Sequence, residues 1–128
     1  MKVLLSIKPE FVEKIFMGEK KFEYRKIIFK NKNINTIIIY ATKPIGKIVG
    51  EMYIDEILEK EPDLLWEMTK EFSGIDERFY KSYFKGKEKA YAIPIKNYIK
   101  YDEPICPYSE YKNFTPPQSF MYWKIRGE

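Results

Sequence analysis

The sequence predicts an α+β fold: a small, curved, mixed or antiparallel β-barrel with helices packed on its outside. Two observations carry this. The elements run strand, helix, several strands, two helices, then strands, which is not the alternation of a doubly wound parallel sheet. The chain has 128 residues and shows no repeat, linker or composition break, so a single domain over residues 1–128 with one real core is expected. Aromatic residues reach 17%, chiefly 11 Tyr and 9 Phe, so they must fill the core or line a groove. Tyr suits a surface that is half apolar and half polar.

The elements follow in order. Lys2 to Ile7 reads as a buried strand through Val3, Leu4, Leu5 and Ile7. Pro9 suits the first turn of a helix, where its missing N–H costs nothing. Phe11 with Ile15 and Val12 with Phe16 form one apolar stripe, and Gly18 is the expected stop. Phe22 and Tyr24 alternate with Lys21, Glu23 and Arg25, a strand with two unlike faces. Strict alternation places Lys20 and Arg25 on opposite faces, so a shared site needs a bulge or a contact at the strand end. Residues 31–35 form a turn, and Ile37-Ile38-Ile39 reads as a strand covered on both faces. Residues 43–46 turn again into a long strand over 47–58, with Gly50 a bulge or a close approach. A helix is expected over 62–72, ended by Ser73-Gly74. Asp76 caps a second helix carrying Phe79, Tyr80, Tyr83 and Phe84. Two strands, 89–95 and 98–105, a Pro-rich wrap over 106–119 and a last strand at 120–123 complete the chain.

Absences narrow the chemistry. The sequence has no histidine, which excludes Ser-His-Asp and Cys-His nucleophiles and any histidine base. With one cysteine, Cys106, an internal disulfide is ruled out and a zinc site is not expected. No other metal site or cofactor is expected. The start is too short and too quickly charged for a signal peptide, and no run is long enough to span a bilayer; a cytoplasmic protein with no membrane association is expected. Charge is segregated. Residues 1–50 carry 11 basic and 4 acidic groups, residues 51–80 carry 3 and 10, and residues 81–128 carry 9 and 5. A basic side with interleaved aromatics suits a polyanion; it equally follows from a Lys- and Ile-rich coding bias. The acidic segment 51–80 is a candidate face for a protein partner.

Four blocks resemble the ASCH domains of the PUA-like superfamily, which also holds YTH and EVE domains. They are Ser6-Ile7-Lys8-Pro9 with a helix and Gly18 through Arg25; Ile39 to Pro44 with Lys47 to Glu51; Ala90 to Ile93; and Pro116 to Phe120. The resemblance implies a PUA-like β-barrel with flanking helices and a cleft beside the first helix. It implies binding of RNA or a modified nucleotide; many members are described as predicted transcriptional regulators. It also leaves room for enzymes, an amidohydrolase of acylated cytidine nucleosides using Lys, Thr and Glu, and a ribonuclease. Gly18, Lys20 and Arg25 match the family pattern. The amidohydrolase threonine falls at Glu23, which cannot be the same nucleophile, with Thr42 the only spatial replacement suggested. Its glutamate falls near Phe72 and Ser73, where Glu71 is the nearest carboxylate.

The candidate ligand-binding residues are Lys8, Lys20, Lys21, Glu23, Arg25, Tyr40, Thr42, Lys43, Tyr91 and Ser119. Lys20 suits a phosphate contact, or a base if burial lowers its pKa; the alternative is a solvated lysine. Arg25 suits a bidentate contact to phosphate or a base edge, or a salt bridge to Glu23 or Glu51 that closes the barrel wall. Lys20 with Glu51 is the candidate acid/base pair if the protein is an enzyme, with Glu71 as a substitute. Tyr40, Tyr91 and Tyr122 offer stacking surfaces or core packing. Ser119 brings a hydroxyl over the cleft or merely turns the chain. Lys8, Lys43 and Lys47 offer the sequence-independent phosphate contacts.

Overall fold

The computed structural model describes residues 1–123. Its strands are β1 (Lys2–Ile7), β2 (Phe22–Arg25), β3 (Thr36–Ala41), β4 (Lys47–Ile54), β5 (Leu58–Lys60), β6 (Ala90–Ile105) and β7 (Phe120–Trp123). Its helices are α1 (Pro9–Phe16), α2 (Pro62–Thr69), α3 (Glu77–Tyr83) and α4 (Pro107–Glu110), with a 3₁₀ turn at Lys70–Phe72. The seven strands form one curled sheet in the order β2-β6-β4-β3-β1-β7, with β5 on the other edge of β6. The sheet is mixed: β1 and β3 run parallel and the other pairs antiparallel. The expected α+β fold with outer helices is therefore what the chain forms, its mixed sheet curled as a half-barrel.

Every residue of β3 is buried, because both of its faces are covered. Ile37 and Ile39 join Val3, Leu5, Ile7, Val12 and Ile15 under α1. Ile38 and Tyr40 join Leu4, Ile48 and Trp123 on the opposite face, beneath Tyr111 and Phe114 of the Pro-rich wrap. A third cluster unites Tyr24 with Leu65 and Trp66 of α2 and Tyr80 of α3. Gly50 answers to both sequence expectations: the ladder shifts between Ile48 and Gly50, and a β-carbon there would strike the Ile99 carbonyl and the Phe16 ring.

Three element boundaries differ from the sequence reading. The strand expected over 47–58 is interrupted at residues 55–57, so β5 leaves β4 and joins β6. The helix expected over 62–72 tightens into the 3₁₀ turn after Thr69, whose hydroxyl donates to the Leu65 carbonyl. The two strands expected at 89–95 and 98–105 are one strand, β6. Its first part pairs β2 and β5 and its second part pairs β4, with Pro94 next to the change of partner. Changing partners lets a strand bend without ending, and proline is tolerated where the ladder changes.

Candidate functional site

The curl of the sheet leaves a gap between β2 and β1, and Arg25 bridges it. One terminal nitrogen of the guanidinium donates to the Ser6 carbonyl at 2.6 Å, and the other donates to Ser119 Oγ at 3.4 Å. Its Nε donates to Glu23 Oε2 at 3.0 Å. Ser6 is in turn fastened to the wrap: its N–H donates to the Ser119 carbonyl at 3.2 Å and its hydroxyl to the Pro117 carbonyl at 2.7 Å. Arg25 is thus the barrel-closing residue, paired with Glu23 rather than Glu51.

Lys20 reaches the same carboxylate from the other side. After α1, Gly18 takes a left-handed φ of +77°, and the N–H groups of Glu19 and Lys20 both donate to the Lys14 carbonyl. This turn drops Lys20 beneath the helix end before β2 begins, so Lys20 does not obey the alternation of the strand. The Lys21 N–H donates to the Phe72 carbonyl at 2.8 Å and fixes that approach. Lys20 Nζ donates to the Ser73 carbonyl at 2.7 Å and lies 3.9 Å from Glu23 Oε1. The Phe11 and Tyr24 ring centroids are 5.3 Å and 4.9 Å away. Its stem crosses Gly74, where φ is +70° and any β-carbon would overlap the Lys20 side chain. At 2% exposure, Lys20 pays for desolvation with a pKa brought down to about 8, Glu23 opposing the shift and Arg25 and Lys14 adding to it.

Glu23 therefore sits buried between two buried cations. Above this triad opens a cleft of about 600 Å³, within the usual size range of small-ligand sites. Ser6, Lys8, Phe11, Tyr40, Thr42 and Lys43 line one side, Phe79 and Tyr83 of α3 another, and Pro116, Pro117 and Gln118 a third. The Lys8 and Lys43 side chains are exposed at its rim. The Tyr40 hydroxyl is engaged with that of Tyr108 at 2.8 Å, so Tyr40 offers the cleft chiefly its ring. Burial raises the Tyr83 pKa, so that phenol stays protonated near neutral pH and can donate.

The structure gathers Lys8, Lys20, Glu23, Arg25, Tyr40, Thr42 and Lys43 at this cleft, with Ser119 at its Arg25 edge. It places other candidates elsewhere. Lys21 points away and lies over the Phe72 ring at 4.3 Å. Glu51 accepts from Tyr53 and Tyr101, each at 2.6 Å, outside the cleft, so it is not brought together with Lys20. Glu71 is exposed on the 3₁₀ turn, and Lys47 is exposed at the start of β4. Tyr122 accepts from the Asn31 N–H. Tyr91 lines a second cavity. Ser6, Phe11, Ser73, Gly74, Phe79 and Tyr83 were not singled out as site residues. Ser6 stands in the first block of the family pattern, Phe11, Phe79 and Tyr83 on helix faces, and Ser73-Gly74 at a helix stop, and none of these signals points to a ligand.

An ASCH domain model matches residues 5–99, three quarters of the chain. The chain belongs to the ASCH domain family. It is similar to an ASCH domain-containing ribonuclease of Zymomonas mobilis subsp. mobilis, 32% identical over 125 residues, with 93% of this chain and 82% of that protein covered. The crystal structure of the ASCH protein from Zymomonas mobilis superposes with a TM-score of 0.88 at 30% identity, covering 96% of this chain and 87% of that one. The chain is also 29% identical over 125 residues to large ribosomal subunit protein uL22 of Ureaplasma parvum serovar 3, covering 95% of this chain and 39% of that protein. Among the described residues no helix is long and apolar enough to cross a membrane.

Proposed function

We propose that this ASCH protein binds RNA, or a modified nucleotide, at the cleft above Lys20, Glu23 and Arg25. The observation that carries the reading is a nucleotide-sized opening with exposed Lys8 and Lys43 at its rim and the Phe11, Phe79 and Tyr83 rings in its wall. The lysines supply phosphate contacts, and the rings supply a stacking surface for an unpaired base. Lys20 is fastened to the Ser73 carbonyl and Arg25 to Glu23, Ser6 and Ser119, so their part is to shape the floor and set its field. The RNA-directed name of the Zymomonas relative supports this reading. The test is filter binding of short single-stranded and hairpin RNA at two salt concentrations. Wild type is expected to bind one of these RNAs with strong salt dependence, and the Lys8→Ala/Lys43→Ala variant to lose roughly 0.7 of the log–log salt slope for each contact removed. No binding at low salt, or the same binding in the variant, rejects it.

A second reading, RNA cleavage at the same cleft, is favoured by Lys20. A lysine with a pKa of about 8 is about one-tenth neutral at pH 7, enough to accept a proton, and Glu23 stands beside it. Neutral Lys20 then takes the proton of a ribose 2′-hydroxyl; that oxygen attacks the adjacent phosphorus to close a 2′,3′-cyclic phosphate, and the 5′-oxygen leaves, taking a proton from water. Turnover of labelled RNA that disappears in Lys20→Met while binding persists supports cleavage; turnover surviving in Lys20→Met removes Lys20 from that role.

A further inference from the structure

A second cavity, about 1080 Å³, opens beside the cleft between the β2–β3 connection and the segment joining β4 to β5. One wall carries Lys26, Lys30 and Lys32, and the other carries Asp55, Glu56 and Glu59. Among the described residues no ion pair joins the two walls; Glu59 pairs outward with Lys89 at 3.6 Å. Tyr91, half-buried, is in the lining between them.

The two cavities flank the end of β2, Arg25 lining one and Lys26 the other. Arg25, on the cleft floor, is opposite Tyr91 across β2 and β6, and Tyr91 is opposite Glu59 across β6 and β5. Directly opposed residues present their side chains on the same face. Lys26 lines the second cavity while its Nζ lies 4.5 Å over the ring of Tyr83, which lines the cleft. A strand held at the cleft therefore meets a cation and two aromatic rings on its way to the second cavity.

We propose that this cavity takes the neighbouring nucleotide of the same RNA strand, an inference that rests on the RNA reading above. Its base stacks on Tyr91, its phosphates meet the Lys26, Lys30 and Lys32 wall, and its exocyclic amino group donates to Asp55 or Glu56. Carboxylates accept from the amino groups of cytosine and adenine, and uracil has none. A lysine wall facing a carboxylate wall thereby becomes a selector of base, with the phosphate on one side and the base edge on the other.

The test is anisotropy with labelled eight-nucleotide oligo(C), oligo(A) and oligo(U). Wild type is expected to favour the first two. Tyr91→Ala should weaken oligo(C) binding roughly tenfold, and Tyr91→Phe should retain it. Asp55→Ala with Glu56→Ala, both at exposed positions, should bring oligo(C) and oligo(A) to the oligo(U) level. Wild-type affinity in Tyr91→Ala, or an unchanged base preference in the Asp55/Glu56 variant, overturns the second subsite. If Lys8→Ala/Lys43→Ala still weakens binding in that case, the cleft reading stands alone. If that variant also binds as wild type, both fall.

Discussion

Glu23 and Glu51 are both strand glutamates, yet they occupy opposite kinds of environment. Glu23 on β2 is 5% exposed and faces two buried cations gathered by the gap in the barrel. Glu51 on β4 is half-buried and holds the hydroxyls of Tyr53, on its own strand, and Tyr101, on β6. Burial pushes the Glu51 pKa up, but the two phenols, helped by Lys2, bring it below its ordinary value. A carboxylate facing only hydroxyl donors fastens a sheet surface. One facing two desolvated cations fixes the charge of a cavity floor, and its loss strands both partners.

That contrast is most directly broken by neutralising each in turn. Glu23→Gln leaves Lys20 and Arg25 buried without a counter-charge and is expected to cost about 3–5 kcal/mol in guanidinium unfolding. Glu51→Gln keeps an acceptor oxygen for one phenol and offers an amide N–H to the hydroxyl oxygen of the other; it should cost only about 1 kcal/mol, with RNA binding unchanged. Equal losses would mean the two sites are alike. Next in size is Gly74→Ala, which combines a left-handed φ with a clash against the Lys20 stem and should cost about 2 kcal/mol by the same measurement. A neutral result would show that Lys20 is not confined there.

The smallest effect is a slope. Lys20 titrates at about 8 in the folded protein against a reference of 10.5, so between those values the unfolded chain holds a proton that the folded chain has released. Wild-type stability relative to Lys20→Met should therefore rise with pH through that window, by on the order of 1 kcal/mol between about pH 7.5 and 9.5. Burial raises the Tyr24 pKa to about 12, but that phenol is present in both proteins and cancels. A flat difference would mean that Lys20 keeps an ordinary pKa. The contrast with Glu51 would then rest on geometry alone.

Much of the framework was legible in residues. Pro9 and Gly18 bracket α1, the unbroken apolar run of β3 announced its two covered faces, and Gly50 marked a bulge. The pairing partners were not legible, since they decide where a strand bends or stops. The continuity of β6 through Pro94 depends on β2, β5 and β4 meeting it in succession. The site divided in the same way. Lys20, Glu23 and Arg25 stood out as charges among aromatics, whereas Ser73, Gly74 and Ser6 are ordinary until a carbonyl or a missing β-carbon meets a buried cation.

By itself the sequence determined the class of fold, the family pattern, the histidine-free chemistry and the basic character of its first fifty residues, because these depend on residue type and local period. Only the tertiary structure decided that Glu23, not Glu51, joins Lys20 and Arg25, and that Tyr91 stands in a second cavity. Both outcomes follow from how far the sheet curls, and curl is a sum of pairings between residues distant in the chain, which no local pattern records.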